Sequence, residues 1–172
     1  MSQQKPTITG APPRRRVFAT FPVAIQAIIV NDRREVLLLS SPRRNGRGQW
    51  QVVSGGMEAD ETVLAGALRE TREEAGPEVA VRPLGTVHAR TFNYDDQIPY
   101  MIGIYYLLAY EGGPIQPGDD MADAEARWWS LDDLAAANVT FHPSTEMWLL
   151  QRAVDLYNQW HTLPPQPLQP ER

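Results

Sequence analysis

Residues 55–77 read GGMEADETVLAGALRETREEAGP, and this stretch decides how the rest of the chain is understood. Six acids (Glu58, Asp60, Glu61, Glu70, Glu73 and Glu74) stand against two arginines (Arg69 and Arg72), a net charge of −4. From about Glu61 to Ala75 the spacing predicts a helix. Leu64, Ala67, Leu68, Thr71 and Ala75 form one narrow stripe able to face a core, and Gly76 follows as a C-cap. Glu70 and Glu74, at i and i+4, stand together beside that stripe, with Glu73 on the exposed side. Like charges at this spacing destabilise a bare helix, so something must compensate them. Hard divalent ions such as Mg²⁺ prefer carboxylate oxygens and leave positions open for phosphate oxygens. Gly55-Gly56, directly after a strand, lets the backbone turn and brings a carbonyl close to such an ion.

Outward from this segment, strand-like runs come first. Phe21 to Val30 (FPVAIQAIIV) and Glu35 to Ser40 (EVLLLS) are aliphatic and β-branched, joined by Asn31-Asp32 as turn residues, and Trp50 to Val53 is a short third strand. After the acidic helix, strands are expected at Val79–Thr91, Tyr100–Tyr110 and Ala126–Trp129, with helices near Leu131–Ala137 and Thr145–Trp160. In the last helix Met147, Leu150, Val154 and Tyr157 share one face, which is read as packing onto the sheet. A mixed sheet with helices on its faces, of α/β (α+β) class, is the expected architecture.

Composition narrows the chemistry. With no cysteine among 172 residues and only three histidines, disulfides, thiolate metal sites and cysteine nucleophiles are excluded, and little is left for zinc. Lys5, Arg14, Arg15 and Arg16 concentrate positive charge at the start, so residues 17–172 hold 12 basic against 21 acidic side chains. An acidic body opposes a general nucleic-acid surface, which needs cations to neutralise phosphates. No apolar run approaches the roughly 18–20 residues that span a bilayer, and Met1 to Gly10 lacks a secretory apolar core, so a cytoplasmic location without membrane attachment is expected. Seven of the 15 prolines lie in residues 1–16 and 162–172. These ends are read as a flexible basic arm and a proline-rich tail flanking one domain over residues 17–161.

The spacing Gly55, five residues, Glu61, seven residues, Arg69-Glu70, two residues, Glu73-Glu74, one residue, Gly76 resembles the Nudix box of the Nudix hydrolase family. Trp50 shortly before it, and Ala126-Arg127-Trp128 followed by SLDDL at 130–134, extend the resemblance over roughly Phe21 to Trp160. Three positions depart from the pattern: Ser54 replaces a proline, and Thr71 and Pro77 occupy aliphatic positions. None removes a charge.

The resemblance implies a Nudix-type α/β/α sandwich around a mixed sheet. It also implies a pyrophosphohydrolase that uses Mg²⁺ or Mn²⁺ to cleave a nucleoside diphosphate linked to another moiety. Carried onto this sequence, Glu70, Glu73 and Glu74 with the Gly55 or Gly56 carbonyl are the metal ligands. Glu70 or Glu73 is a candidate base, and Arg69 and Glu61 support the glutamates. Asp119, Asp120, Asp123 and Glu125, before the Ala126 strand, are candidates for a further acid. Arg43, Arg44 and Arg47 are placed to grip phosphates by forked hydrogen bonds. Phe92 and Tyr94 lie on the strand and loop that pass near the nucleoside in relatives. The expected partner is a small nucleotide, with a homodimer left open. Among rivals, the isopentenyl diphosphate isomerase of this fold needs a cysteine that is absent here. A non-catalytic nucleotide sensor and an RNA 5′-pyrophosphohydrolase remain as alternatives.

Overall fold

The computed structural model describes residues 19–43 and 48–164. The basic arm and most of the proline-rich tail expected from the sequence lie outside those residues. The run VAIQAIIV forms β1 (Val23–Val30), whose last six residues are buried. It is the axis of the main sheet. β6 (Met101–Gly112) lies parallel to it along its whole length, from Val23 opposite Ile102 to Val30 opposite Ala109. The other flank of β1 is shared. β4 (Val53–Gly56) pairs antiparallel with Ala24–Ala27, and β2 (Val36–Ser40) meets β1 only at Val30 opposite Val36. β2 then pairs with β7 (Glu125–Trp129), and β5 (Ala80–Phe92) pairs antiparallel with β6 at the far edge. The sheet thus forks beside β1, and the fork delivers the Ser54-Gly55-Gly56 backbone to its open end.

Alternation along β1 sorts its side chains into two cores. Ile28 and Val30 join Tyr105, Leu107 and the buried face of α3 (Met147–Trp160), while Ile25, Ala27 and Ile29 pack with Ala67, Ala75 and Met121 under α1 (Val63–Glu70). A mixed sheet between helices results, the expected α/β/α sandwich. On α3 the expected face is extended: Leu149, Leu150, Ala153, Val154 and Tyr157 are buried, and Met147 packs alongside.

Three local expectations are corrected. The single strand foreseen at Trp50–Val53 is two, because β3 (Gln49–Trp50) leaves the main sheet to pair in parallel with β8 (Thr140–Phe141), a strand not foreseen, before the chain resumes as β4. The acidic helix begins at Val63, capped by the Thr62 side chain, which accepts the Ala65 N–H at 3.1 Å. It does not stay α-helical: residues Thr71–Ala75 form a π-helical turn. At its start the buried Thr71 hydroxyl donates to the Ala67 carbonyl at 2.7 Å, so the polar residue at an aliphatic position is satisfied internally. Gly76 ends the turn at φ +133°, where a side chain would be strained. A short helix α2 (Leu131–Ala136) starts at Ser130, whose side chain accepts the Asp133 N–H.

Candidate active site

The edge of α1 and its π turn faces the glycines of β4. Glu74 is only 1% exposed, and its Oε2 accepts the Ser54 N–H at 2.8 Å, so its carboxylate is fixed to the strand across the fork. Glu70, 6% exposed, lies against Gly55 so closely that a Cβ there would stand 2.0 Å from its Oε1. Only glycine allows this approach. Both glutamates are more enclosed than the helical wheel suggests, because β4 closes over them.

Arg69 supplies the compensation that the acidic row requires. Its Nη1 donates to Glu70 Oε1 at 2.7 Å and to Glu73 Oε2 at 2.9 Å, and its Nη2 donates to Glu61 Oε1 and the Gly56 carbonyl, both at 2.8 Å. Its Nε reaches Glu61 Oε2 at 3.2 Å, completing a forked pair. That pair, helped by the Glu58 N–H at 2.7 Å, holds the Glu61 carboxyl below its ordinary value, and its carboxylate partners push the Arg69 guanidinium further up. Of the two glycine carbonyls singled out in the sequence, that of Gly56 is therefore engaged by Arg69.

Gly55, Gly56, Arg69, Glu70, Glu73 and Glu74 line an open cleft of about 760 Å³ with Ser54, Glu58, Arg72 and Pro77. The loop after β6 closes its far side. The Gln116 N–H donates to the Ala75 carbonyl at 2.8 Å, and a Cβ on Gly118 would stand 2.7 Å from the Glu73 carbonyl, so the loop sits directly on the π turn and brings Asp119 and Asp120 into the cleft. The other two late acids go elsewhere. Asp123 accepts from Ser41 at 2.8 Å and pairs with Arg43 at 3.1 Å, and Glu125 lies on β7 opposite Ser40. Arg43 lines neither cleft. Arg44 and Arg47 lie outside the described residues.

A second cavity of about 880 Å³ adjoins the first and shares Ser54, Gly55 and Gly56 with it. Phe92, Tyr94, Ile98 and Met101 line one side and His142, Pro143 and Ser144 another. Tyr94 is 61% exposed at its mouth. Gln26, Gln51, Arg90 and Tyr105 also line it and were missed in the sequence. Gln26 left a signal, being the one polar residue within a strand otherwise apolar from Val23 to Val30. Arg90 pairs with Glu146, donates to the Pro143 carbonyl at 3.3 Å and lies 5.4 Å from the centre of the Tyr105 ring, whose hydroxyl donates to the Ser144 carbonyl at 2.8 Å.

The side chains facing the first cleft that could ligate a cation are all carboxylates, and the Gly55 cradle keeps Glu70 hard against the backbone, which fits a hard divalent cation. Among the described residues no three His, Asp or Glu side chains are gathered closely enough to hold a metal as they stand, since Glu70 and Glu73 turn to Arg69.

The model of the NUDIX domain matches residues 20–149. The chain belongs to the Nudix family. It is 31% identical over 113 residues to the 8-oxo-dGDP phosphatase NUDT18 of Homo sapiens, covering 64% of this chain and 32% of that one. It is 29% identical over 94 residues to phosphatase NudJ of Escherichia coli K12, covering 55% and 60%. The chain thus spans about a third of NUDT18 and three fifths of NudJ. Among solved structures it resembles an ADP-ribose pyrophosphatase from Streptococcus suis (TM-score 0.61, 20% identity, covering 79% of this chain and 91% of that one). It also resembles a possible asymmetric diadenosine tetraphosphate hydrolase from Jonesia denitrificans (TM-score 0.63, 17% identity, 81% and 96%). The Nudix fold is common to them. No helix among the described residues is long and apolar enough to cross a membrane.

Proposed function

We propose that this Nudix protein hydrolyses a nucleoside diphosphate linked to a further moiety, in a reaction dependent on Mg²⁺ or Mn²⁺ and acting on phosphorus. The observation that carries this reading is the gathering of Glu70, Glu73 and Glu74 along one helix edge against the Gly55-Gly56 backbone. The names of the relatives supply the substrate class: an 8-oxo-dGDP phosphatase, an ADP-ribose pyrophosphatase and a possible asymmetric diadenosine tetraphosphate hydrolase have substrates that contain a nucleoside diphosphate.

Glu70, Glu73, Glu74 and the Gly55 carbonyl would hold the ion. When bound, it would neutralise the diphosphate and make a water more acidic. The chain's own residues do the rest. Glu74, held by the Ser54 N–H, is the fixed carboxylate, and the hydrogen bonds of Arg69 orient Glu70 and Glu73. Glu70 or Glu73 accepts the proton of the attacking water, with Asp119 and Asp120 as candidates on the opposite wall. The diphosphate lies in the acidic cleft and the nucleoside in the adjoining cavity beside Phe92 and Tyr94. Arg43, Arg44 and Arg47 remain candidates for the outer phosphates. A cytoplasmic site of action fits this substrate class.

The test is hydrolysis of a panel of nucleoside di- and triphosphates, ADP-ribose and dinucleoside polyphosphates with Mg²⁺, products identified, beside Glu74→Gln. Turnover of one class, abolished by the substitution, is expected. Saturable binding of a nucleotide with no turnover of any would replace the reading with a nucleotide sensor.

A further inference from the structure

Two cross-strand rows define the second cavity. Residues directly opposite one another in a sheet present side chains to the same face. On the face toward α3, one row runs Ser54, Gln26, Tyr105, His88, and the next runs Gly56, Ala24, Gly103, Arg90. Across β4, β1 and β6 the second row carries nothing larger than a methyl group. Gly56 and Ala24 line the cavity and, at about 4.8 Å between strands, make a flat strip there, while Gly103 continues the row buried and outside the lining. A Cβ on Gly56 would meet nothing within 4 Å, and one on Gly103 would stand 3.1 Å from Phe92 Cε1 and 3.3 Å from Gln26 Oε1.

Gln26 stands where this face leaves the core. Along β1 the same-face residues Val30 and Ile28 are buried under α3, and the next in line is Gln26, only 3% exposed. Its Oε1 is buried without a hydrogen-bond partner, and so is Nε of Arg90, which lines the same cavity. Leaving a buried polar atom unpaired is costly, and more than nine in ten find a partner. An aliphatic residue at position 26 would continue the core without that cost. One unpaired acceptor and one unpaired donor beside a flat strip describe a planar ligand with the opposite pattern.

We infer that Gln26 is a specificity-determining residue: its carboxamide reads an N–H on the edge of a nucleobase lying over the Gly56-Ala24 strip beside Phe92, while Arg90 Nε donates to a ring nitrogen or carbonyl of the same base. This rests on the nucleoside diphosphate reading and adds the group that selects the base. A carboxamide offers donor and acceptor in one plane, the pattern of a base edge. Phosphate suits this cavity poorly, because Arg90 is already paired with Glu146.

The experiment is titration of the full-length protein, without metal, with AMP, GMP, CMP, UMP and ribose 5-phosphate, the last keeping sugar and phosphate but no base. At least one nucleotide should bind tenfold or more tightly than ribose 5-phosphate. Gln26→Leu should bring that ratio to within about twofold, with a melting temperature equal to or above that of the wild type. Gly103→Ala, whose methyl group would press on Gln26 Oε1 and the Phe92 ring, should lower the ratio in the same direction and serves if Gln26→Leu does not fold. Equal binding of ribose 5-phosphate and every nucleotide, or an undiminished ratio in folded Gln26→Leu (in Gly103→Ala if the former does not fold), overturns the inference. Mg²⁺-dependent hydrolysis separates the two readings. Base preference lost in Gln26→Leu without hydrolysis of any substrate by the wild type refutes the hydrolase and keeps the base-reading role. Hydrolysis at one kcat/KM for all bases does the reverse.

Discussion

The two clefts on either side of Ser54-Gly55-Gly56 are built on opposite plans. The acidic cleft takes most of its side chains from one continuous segment, and its charges are interlocked through Arg69, which alone bonds three carboxylates and a backbone carbonyl. The adjoining cavity is assembled from β1, β4, β5, β6 and the residues before α3, and it leaves polar atoms of Gln26 and Arg90 unpaired. One plan stores its order within the fold, where the carboxylates are held by Arg69 and by the Ser54 N–H. The other leaves hydrogen-bonding capacity for something outside the chain.

The contrast can be broken most severely at the helix edge. Glu74→Gln and Glu70→Gln should each lower kcat for Mg²⁺-dependent hydrolysis by about a hundredfold or more with thermal unfolding little changed, since glutamine keeps an acceptor for the Ser54 N–H. Full turnover in both would remove the metal-site assignment. Arg69→Ala should lower activity by about ten- to a hundredfold and cost about 1–3 kcal/mol, leaving Glu61 and Glu70 without their cation. Urea unfolding without metal measures the second effect, and an unchanged midpoint would contradict the interlocked plan.

The shared glycines allow a matched comparison. Gly55→Ala drives a methyl group into Glu70 and should destabilise by about 1–3 kcal/mol, whereas Gly56→Ala points into the open cavity and should stay within about 0.5 kcal/mol. Equal effects in denaturant would show that the strand does not separate the two clefts as described. Acidification tests the interlock by another route. Glu61 sits below its ordinary value of 4.5 because Arg69 bonds it, so its contribution to stability is full above that value and is lost as pH falls through the lowered one. Stability measured from pH 6 to 3 should therefore fall less steeply in Glu61→Gln than in the wild type. The smallest effect is expected at the exposed mouth, where Tyr94→Ala should raise KM a few-fold and leave the melting temperature unchanged.

These differences also explain what was legible in the sequence. Most of the acidic cleft is written in consecutive residues, so helical periodicity places Glu70 beside Glu74, and the positions of most strands along the chain follow from aliphatic runs broken by turn residues. The closure of β4 over Glu70 and Glu74 is a tertiary effect that no wheel contains. The division of Trp50–Val53 into two strands depends on β8, some 90 residues later, which offers β3 a different partner. Gln26, Gly103 and Arg90 are neighbours only through strand register, and each alone reads as an ordinary residue of a strand. Arg43, a cation placed by the sequence between β2 and Trp50, has a partner that its neighbours in the sequence do not suggest, Asp123 at 3.1 Å.

The π turn at Thr71–Ala75 gives the acidic cleft a numerical constraint. A π turn accommodates one residue more than an α turn, and each residue of an α-helix rotates its successor by about 100°. If removing one residue from this turn restored regular α geometry, Glu73 and Glu74 would swing around the helix axis away from Ser54 and Arg69, with every carboxylate still present. The spacing between the arginine and the last glutamates thus works as a gear ratio, in which chemical identity and residue count must both be right for the acids to mesh with the strand opposite.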